Sequence, residues 1–167
     1  MFEIVLNHPH IEDEKSLKEY KSIGELIENI FPLSEDYFYI NWNHIYVSLS
    51  YKYDLSIVFE DFIYIYKFLE SYENNIQMTF PSNTFDVMWN IKKDGYDIII
   101  ESQWNTILSH NENILNENSF LKINLSLFKK EISKILEFIY KIFIRGKGNI
   151  DDQLLSDILD DKPTGLD

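Results

Sequence analysis

At 167 residues, with 45% hydrophobic and 16% aromatic side chains, the chain is long enough to bury its own core and too apolar for intrinsic disorder. None of its apolar runs reaches the roughly 18 uncharged residues of a membrane span. It has no cysteine, which excludes disulfide and thiolate chemistry. Its 28 acidic and 15 basic residues give a net charge of −13, which opposes nucleic acid and anionic membrane surfaces and attracts a basic partner.

The opening residues, Met1-Phe-Glu-Ile-Val-Leu-Asn7, lack a positive n-region and a long apolar h-region, so the expectation is a cytoplasmic protein. Phe2 to Leu6 reads as a strand stopped at Asn7-His8-Pro9. Glu12-Asp13-Glu14 then open a segment in which Tyr20, Ile23, Leu26, Ile27 and Ile30 recur at helical spacing, which predicts a helix ending near Pro32.

In Phe38 to Trp42 and Ile45 to Leu49 apolar residues alternate with period two, and only Asn43-His44 separate the runs. This predicts a hairpin pairing Trp42 with Ile45, Ile40 with Val47 and Phe38 with Leu49 on one face, and Asn41 with Tyr46 and Tyr39 with Ser48 on the other. From Asp54, a natural N-cap, the period changes. Leu55, Val58, Phe59, Phe62, Ile65, Tyr66 and Leu69 form a helical stripe, with Ser56, Glu60, Tyr64, Lys67 and Ser71 opposite. The segment Phe62 to Phe68 also alternates, but the unbroken stripe exceeds ordinary strand length and favours helix.

Ile76 to Phe80 reads as a short strand closed by Pro81-Ser82-Asn83. A second hairpin follows, with Asp94-Gly95 as its two-residue turn. That register places Ile91 opposite Ile98, Trp89 opposite Ile100, Val87 opposite Ser102 and Phe85 near Trp104. On the wet face it sets Lys92 against Asp97, Asn90 against Ile99, Met88 against Glu101 and Asp86 against Gln103. Thr106 to Asn118 reads as loop, and Phe120 to Leu125 as another strand. Ser126 then caps a last helix, buried through Phe128, Ile132, Ile135, Leu136, Ile139 and Phe143, with Lys130, Lys134, Glu137, Lys141 and Arg145 on its wet side. Gly146 stops it.

The pattern predicts an α+β fold, a mainly antiparallel sheet with two or three helices packed on one face, in a single domain over residues 1–148. Residues 149–167 form an acidic C-terminal segment, compatible with a short helix around Asp151-Asp152.

Chemical signatures are sparse. His8 and His10 flank a proline without a third ligand at useful spacing, His44 belongs to the hairpin turn and His110 to a polar loop, so no metal or cofactor is expected. Adjacent carboxylates such as Glu60-Asp61 point about 100° apart on a helix and do not converge on one substrate. There is no glycine-rich phosphate loop and no Gly-x-Ser-x-Gly elbow, so the chain reads as non-enzymatic. What remains is an acidic, tyrosine-rich surface suited to a cationic protein. Its candidate contacts are Glu60 and Asp61 on the central helix, Asp86, Asp97 and Glu101 on the second hairpin, and Asp151 and Asp152 in the tail. A small-ligand binding or enzymatic domain with an aromatic pocket near Trp42, Trp89 and Trp104 is the alternative.

Two stretches, Val47-Ser-Leu-Ser-Tyr-Lys-Tyr-Asp-Leu-Ser-Ile-Val-Phe-Glu-Asp61 and Phe80-Pro-Ser through Trp89 to Ile100-Glu-Ser-Gln-Trp104, resemble small bacterial immunity proteins of polymorphic toxin and contact-dependent growth inhibition systems. In outline the resemblance spans residues 38–140. It implies a cytoplasmic protein that binds the toxic domain of its cognate effector, commonly a nuclease, and blocks its active site or substrate path. Immunity proteins share a role more than a fold, so the resemblance assigns no individual site residue.

Overall fold

The computed structural model describes residues 1–11 and 22–145. The fold is α+β, with two antiparallel sheets and four helices among the described residues rather than one sheet. The first sheet has the order β1 (Phe2–Val5), β2 (Tyr37–Trp42), β3 (Ile45–Ser50). The second joins β4 (Asn75–Ser82), β5 (Phe85–Asp94), β6 (Asp97–Ile107) and β7 (Phe120–Asn124) in sequence order. Helices α1 (Ile23–Ile30), α2 (Asp54–Glu70), α3 (Glu112–Glu117) and α4 (Leu125–Arg145) complete it.

The first hairpin has the register its turn dictates. Phe38 pairs with Leu49, Ile40 with Val47 and Trp42 with Ile45, and Asn43 and His44 take φ of 47° and 70°. Two successive positive φ values match the right-handed twist of the strands, which is why a two-residue Asn-His loop closes them without a slip. The buried face is then Phe38, Ile40, Trp42, Val47 and Leu49.

The second hairpin differs from its expected register. The turn residues are Gly95 and Tyr96, Asp94 pairs with Asp97, and Ile91 faces Ile100 rather than Ile98. Gly95 alone takes positive φ, at 62°, which suits glycine as the first central residue of a hairpin turn. Asp94 and Asp97 therefore lie side by side, and Lys122 on β7 answers both, at 3.8 Å and 3.2 Å. The displacement amounts to two residues between partners, so side-chain parity survives and Val87, Trp89, Ile91, Ile98, Ile100 and Trp104 still face inward. A bulge follows, where Val87 pairs with Trp104 but Asp86 with Thr106, leaving Asn105 as the extra residue.

Helix α2 lies between α1, α4, β3 and β4 and buries a wider arc than its expected stripe, adding Ile63 and Phe68. Its start also differs. Asp54 is the first helical residue and makes no N-cap bond; Tyr53 occupies that position without a side-chain cap. The Asp54 carboxylate, fully buried, reaches back to accept from the Ser50 N–H at 2.7 Å. It also accepts from the Ser82 hydroxyl and, at 2.6 Å, from the Thr84 hydroxyl. One side chain thus ties the β3–α2 turn to the β4–β5 turn. At the other end Lys93 donates to the Phe68 and Ser71 carbonyls at 2.7 Å and 2.6 Å, meeting the negative end of the helix dipole. Burial pulls the Lys93 pKa down, opposed by the Glu70 and Glu73 carboxylates.

Three further local expectations change. Ser22 caps α1, accepting from the Glu25 N–H at 3.1 Å, while the Glu12-Asp13-Glu14 start lies outside the described residues. Asn124, not Ser126, caps α4, accepting from the N–H groups of Ser126 and Leu127 at 3.1 Å and 3.4 Å. The segment expected as loop after Thr106 contains α3, whose Asn116 side chain bonds both backbone groups of Trp104 at 2.9 Å.

One core joins the two sheets. Phe2 packs on Phe128 of α4 at 4.9 Å between ring centroids, Phe62 of α2 on Phe80 at 5.9 Å, and Trp42 stacks on Trp89 at 5.5 Å. The boundary drawn at residue 148 and the acidic segment beyond it lie outside the described residues.

Candidate protein-binding surface

The expected contact residues separate into two groups on opposite sides of the four-stranded sheet. Asp86, Asp97 and Glu101 lie on its outer face, which alternates with the buried row and carries Gln77, Asn90, Glu101 and Phe120 in line across β4 to β7. Glu60 and Asp61 belong to α2, which meets the inner face through Phe62 against Phe80. Asp151 and Asp152 lie outside the described residues.

On the outer sheet face much of the charge is already answered. Lys122 holds Asp97, and Asp86 accepts from the Asn105 side chain at 3.1 Å. Lys92 adds a second exposed cation. Glu101 is exposed beside Asn90 and Phe120 without an ion pair among the described residues.

The wet face of α2 is built differently. Tyr53, Ile57 and Tyr64 stand 48%, 49% and 54% exposed, and Glu60 and Asp61 lie between Ile57 and Tyr64. Residues three and four apart are neighbours on a helix, so these side chains form one continuous stripe about 16 Å long. Neither carboxylate has an ion pair among the described residues. Asp61 is half-buried, and that burial, reinforced by the adjacent Glu60 charge, pushes its pKa up to about 6. Lys52 sits 5.5 Å from the centroid of the Tyr53 ring, so this aromatic face already attracts a cation. Lys67 lies exposed at the far end of the stripe. Helix α1 flanks it, with Gly24 against the Ser56 carbonyl and Glu25 and Glu28 exposed. The helical period already puts Glu60 and Tyr64 on the wet side, whereas it leaves Tyr53 and Ile57 unassigned to either face.

The tryptophans contemplated as a pocket wall are packed on one another instead. Trp42, Trp89 and Trp104 are between 0% and 2% exposed, with Trp42 to Trp104 centroids 5.3 Å apart. Trp42 donates to the Asn118 carbonyl at 2.8 Å and Trp104 to the Ser102 hydroxyl at 2.7 Å. The Trp89 indole N–H has no hydrogen-bond partner among the described residues.

The His10 backbone N–H bonds Asp36 at 2.7 Å, His44 shapes the first hairpin turn, and His110 takes φ of 53° before α3. Among the described residues no group of three His, Cys, Asp or Glu could hold a metal ion, and no helix is long and apolar enough to cross a membrane.

No family model, no curated protein and no solved structure matches the chain.

Proposed function

We propose that the protein is an immunity protein: it binds the toxic domain of a cognate effector in the cytoplasm, a basic nuclease, and blocks its active site or substrate path. The protein is an inhibitor and not itself an enzyme. The observation that supports this reading is the unanswered negative surface. In a chain of net charge −13, Glu60, Asp61 and Glu101 face solvent or its edge without a bridging cation among the described residues. A nuclease face built for phosphates presents the complementary field, and carboxylates placed against it stand where the nucleic-acid phosphates would lie. Long-range attraction of this kind raises the encounter rate, which matters when a toxin must be caught before it acts.

The test is protection. Co-expression of the chain with a basic nuclease toxin domain that arrests growth restores growth through a stable complex of the two. Continued arrest, with both proteins present and folded, would remove the immunity reading.

A further inference from the structure

We infer that the wet face of α2 is the docking surface, and that its occupant is an arginine-bearing basic protein surface seated on Tyr53, Ile57, Glu60, Asp61 and Tyr64. This rests on the immunity reading and specifies the surface it uses. Two features separate this face from the outer side of the four-stranded sheet. First, Glu60 and Asp61 are adjacent and neither has an ion pair among the described residues, whereas on the sheet Asp97 is held by Lys122 and Asp86 accepts from the Asn105 side chain, which leaves Glu101 as an isolated unpaired carboxylate. A basic partner gains more from a free carboxylate than from one whose bridge it must break. Second, three large side chains, each about half exposed, bracket the charges on one regular helix.

Tyrosines beside carboxylates suit a guanidinium in particular. Its plane stacks on a phenol ring while its N–H fork meets a carboxylate with two parallel bonds, which an ammonium cannot do. Ile57 and the rings then supply the apolar contact that excludes water around the ion pairs. Helix α2 is also well suited to hold the face rigid. Asp54 fixes its first turn, Lys93 its last, and Lys129 of α4 reaches Glu70 and lies 5.1 Å from the centroid of the Tyr66 ring. A preformed face loses little conformational entropy on docking.

The experiment measures association and dissociation of the full chain with a catalytically inactivated basic nuclease toxin domain. It compares wild type with Glu60→Gln/Asp61→Asn, with Ile57→Ser/Tyr64→Ala, and with Asp86→Asn/Glu101→Gln on the opposite side. All six positions reach solvent, and a thermal melt of each variant checks the fold. The charge pair on α2 slows association at least tenfold at low salt and flattens its salt dependence, and the Ile57/Tyr64 pair speeds dissociation at least tenfold. A larger loss from the sheet variant than from both α2 variants overturns the docking face while leaving the immunity reading intact. Absence of a complex with the wild-type chain defeats the immunity reading itself, and the docking inference with it.

Discussion

Asp61 makes a quantitative test of the α2 surface before any partner is in hand. Burial and the neighbouring Glu60 raise its pKa from 3.8 to about 6, so the fold favours its protonated form. Below about pH 4 the carboxyl is protonated in both folded and unfolded chains and costs nothing. As pH rises toward 6 the unfolded chain ionises first, and stability falls until the folded carboxyl has also ionised. Two pKa units correspond to about 3 kcal/mol, which solvent screening at a half-buried site reduces to about 1–2 kcal/mol. Asp61→Asn removes that penalty. At about pH 7.5 the variant should be about 1–2 kcal/mol more stable than wild type, a rise in Tm of about 3–6 °C for a chain of this length, and the gain should fade toward pH 4. Urea unfolding across that pH range measures both. A variant no more stable than wild type at about pH 7.5, or a difference independent of pH, would refute the argument. A confirmed gain would mean that the fold carries a carboxylate whose charge costs it stability.

Three substitutions test the framework behind that surface. Asp54→Ala strands the Ser50 N–H and the Ser82 and Thr84 hydroxyls in the core, and chemical denaturation should show a loss of about 3–4 kcal/mol; a loss under about 1 kcal/mol would contradict the clamp. Gly24→Ala drives a methyl group into the Ser56 carbonyl where α1 crosses α2, and should cost about 1–3 kcal/mol by the same measurement, although alanine is the better helix former. Trp42→Phe loses the bond to the Asn118 carbonyl, whereas Trp89→Phe removes a buried N–H that has no partner. Trp42→Phe should therefore be the more destabilising by about 1 kcal/mol in parallel melts, and the reverse order would contradict the hydrogen-bond assignment.

Local sequence signals carried far where one turn or one period dominated. Asn43-His44 left one closure for the first hairpin, and every expected pair of that hairpin is present. The long apolar period from Leu55 to Leu69 identified α2 against a competing strand reading of Phe62 to Phe68. The second hairpin shows the limit. Asp94-Gly95 and Gly95-Tyr96 are both acceptable turns, and the choice depends on β7, where Lys122 makes the pairing of Asp94 with Asp97 tolerable. Helix α3 is only six residues long, and what holds it is tertiary, through Asn116 on Trp104 and Glu112 on the Ile107 N–H. The Ser22-Ile-Gly-Glu25 pattern did contain a helix start, but the acidic run at Glu12 to Glu14 was the louder signal.

For the candidate surface, the sequence offered carboxylates without saying which were already neutralised. The expected register set Lys92 against Asp97, yet the cation that reaches Asp97 is Lys122, 25 residues further along the chain, because β6 and β7 are neighbours. Ion pairing across strands is a property of the register, and the register of this hairpin was the element misread. The tryptophans illustrate the same point from inside. The alternative reading set an aromatic pocket near them, and their indoles instead fill the space between the two sheets.

The most direct test of the account is a binding titration between the purified chain and the proposed partner, a basic nuclease toxin domain, run at low and at high salt. Opposite charges on the two faces predict a tight complex whose association rate falls at least tenfold between about 50 mM and 500 mM salt. Lack of binding at low salt, or an association rate indifferent to salt, would contradict an immunity protein steered to its target by charge.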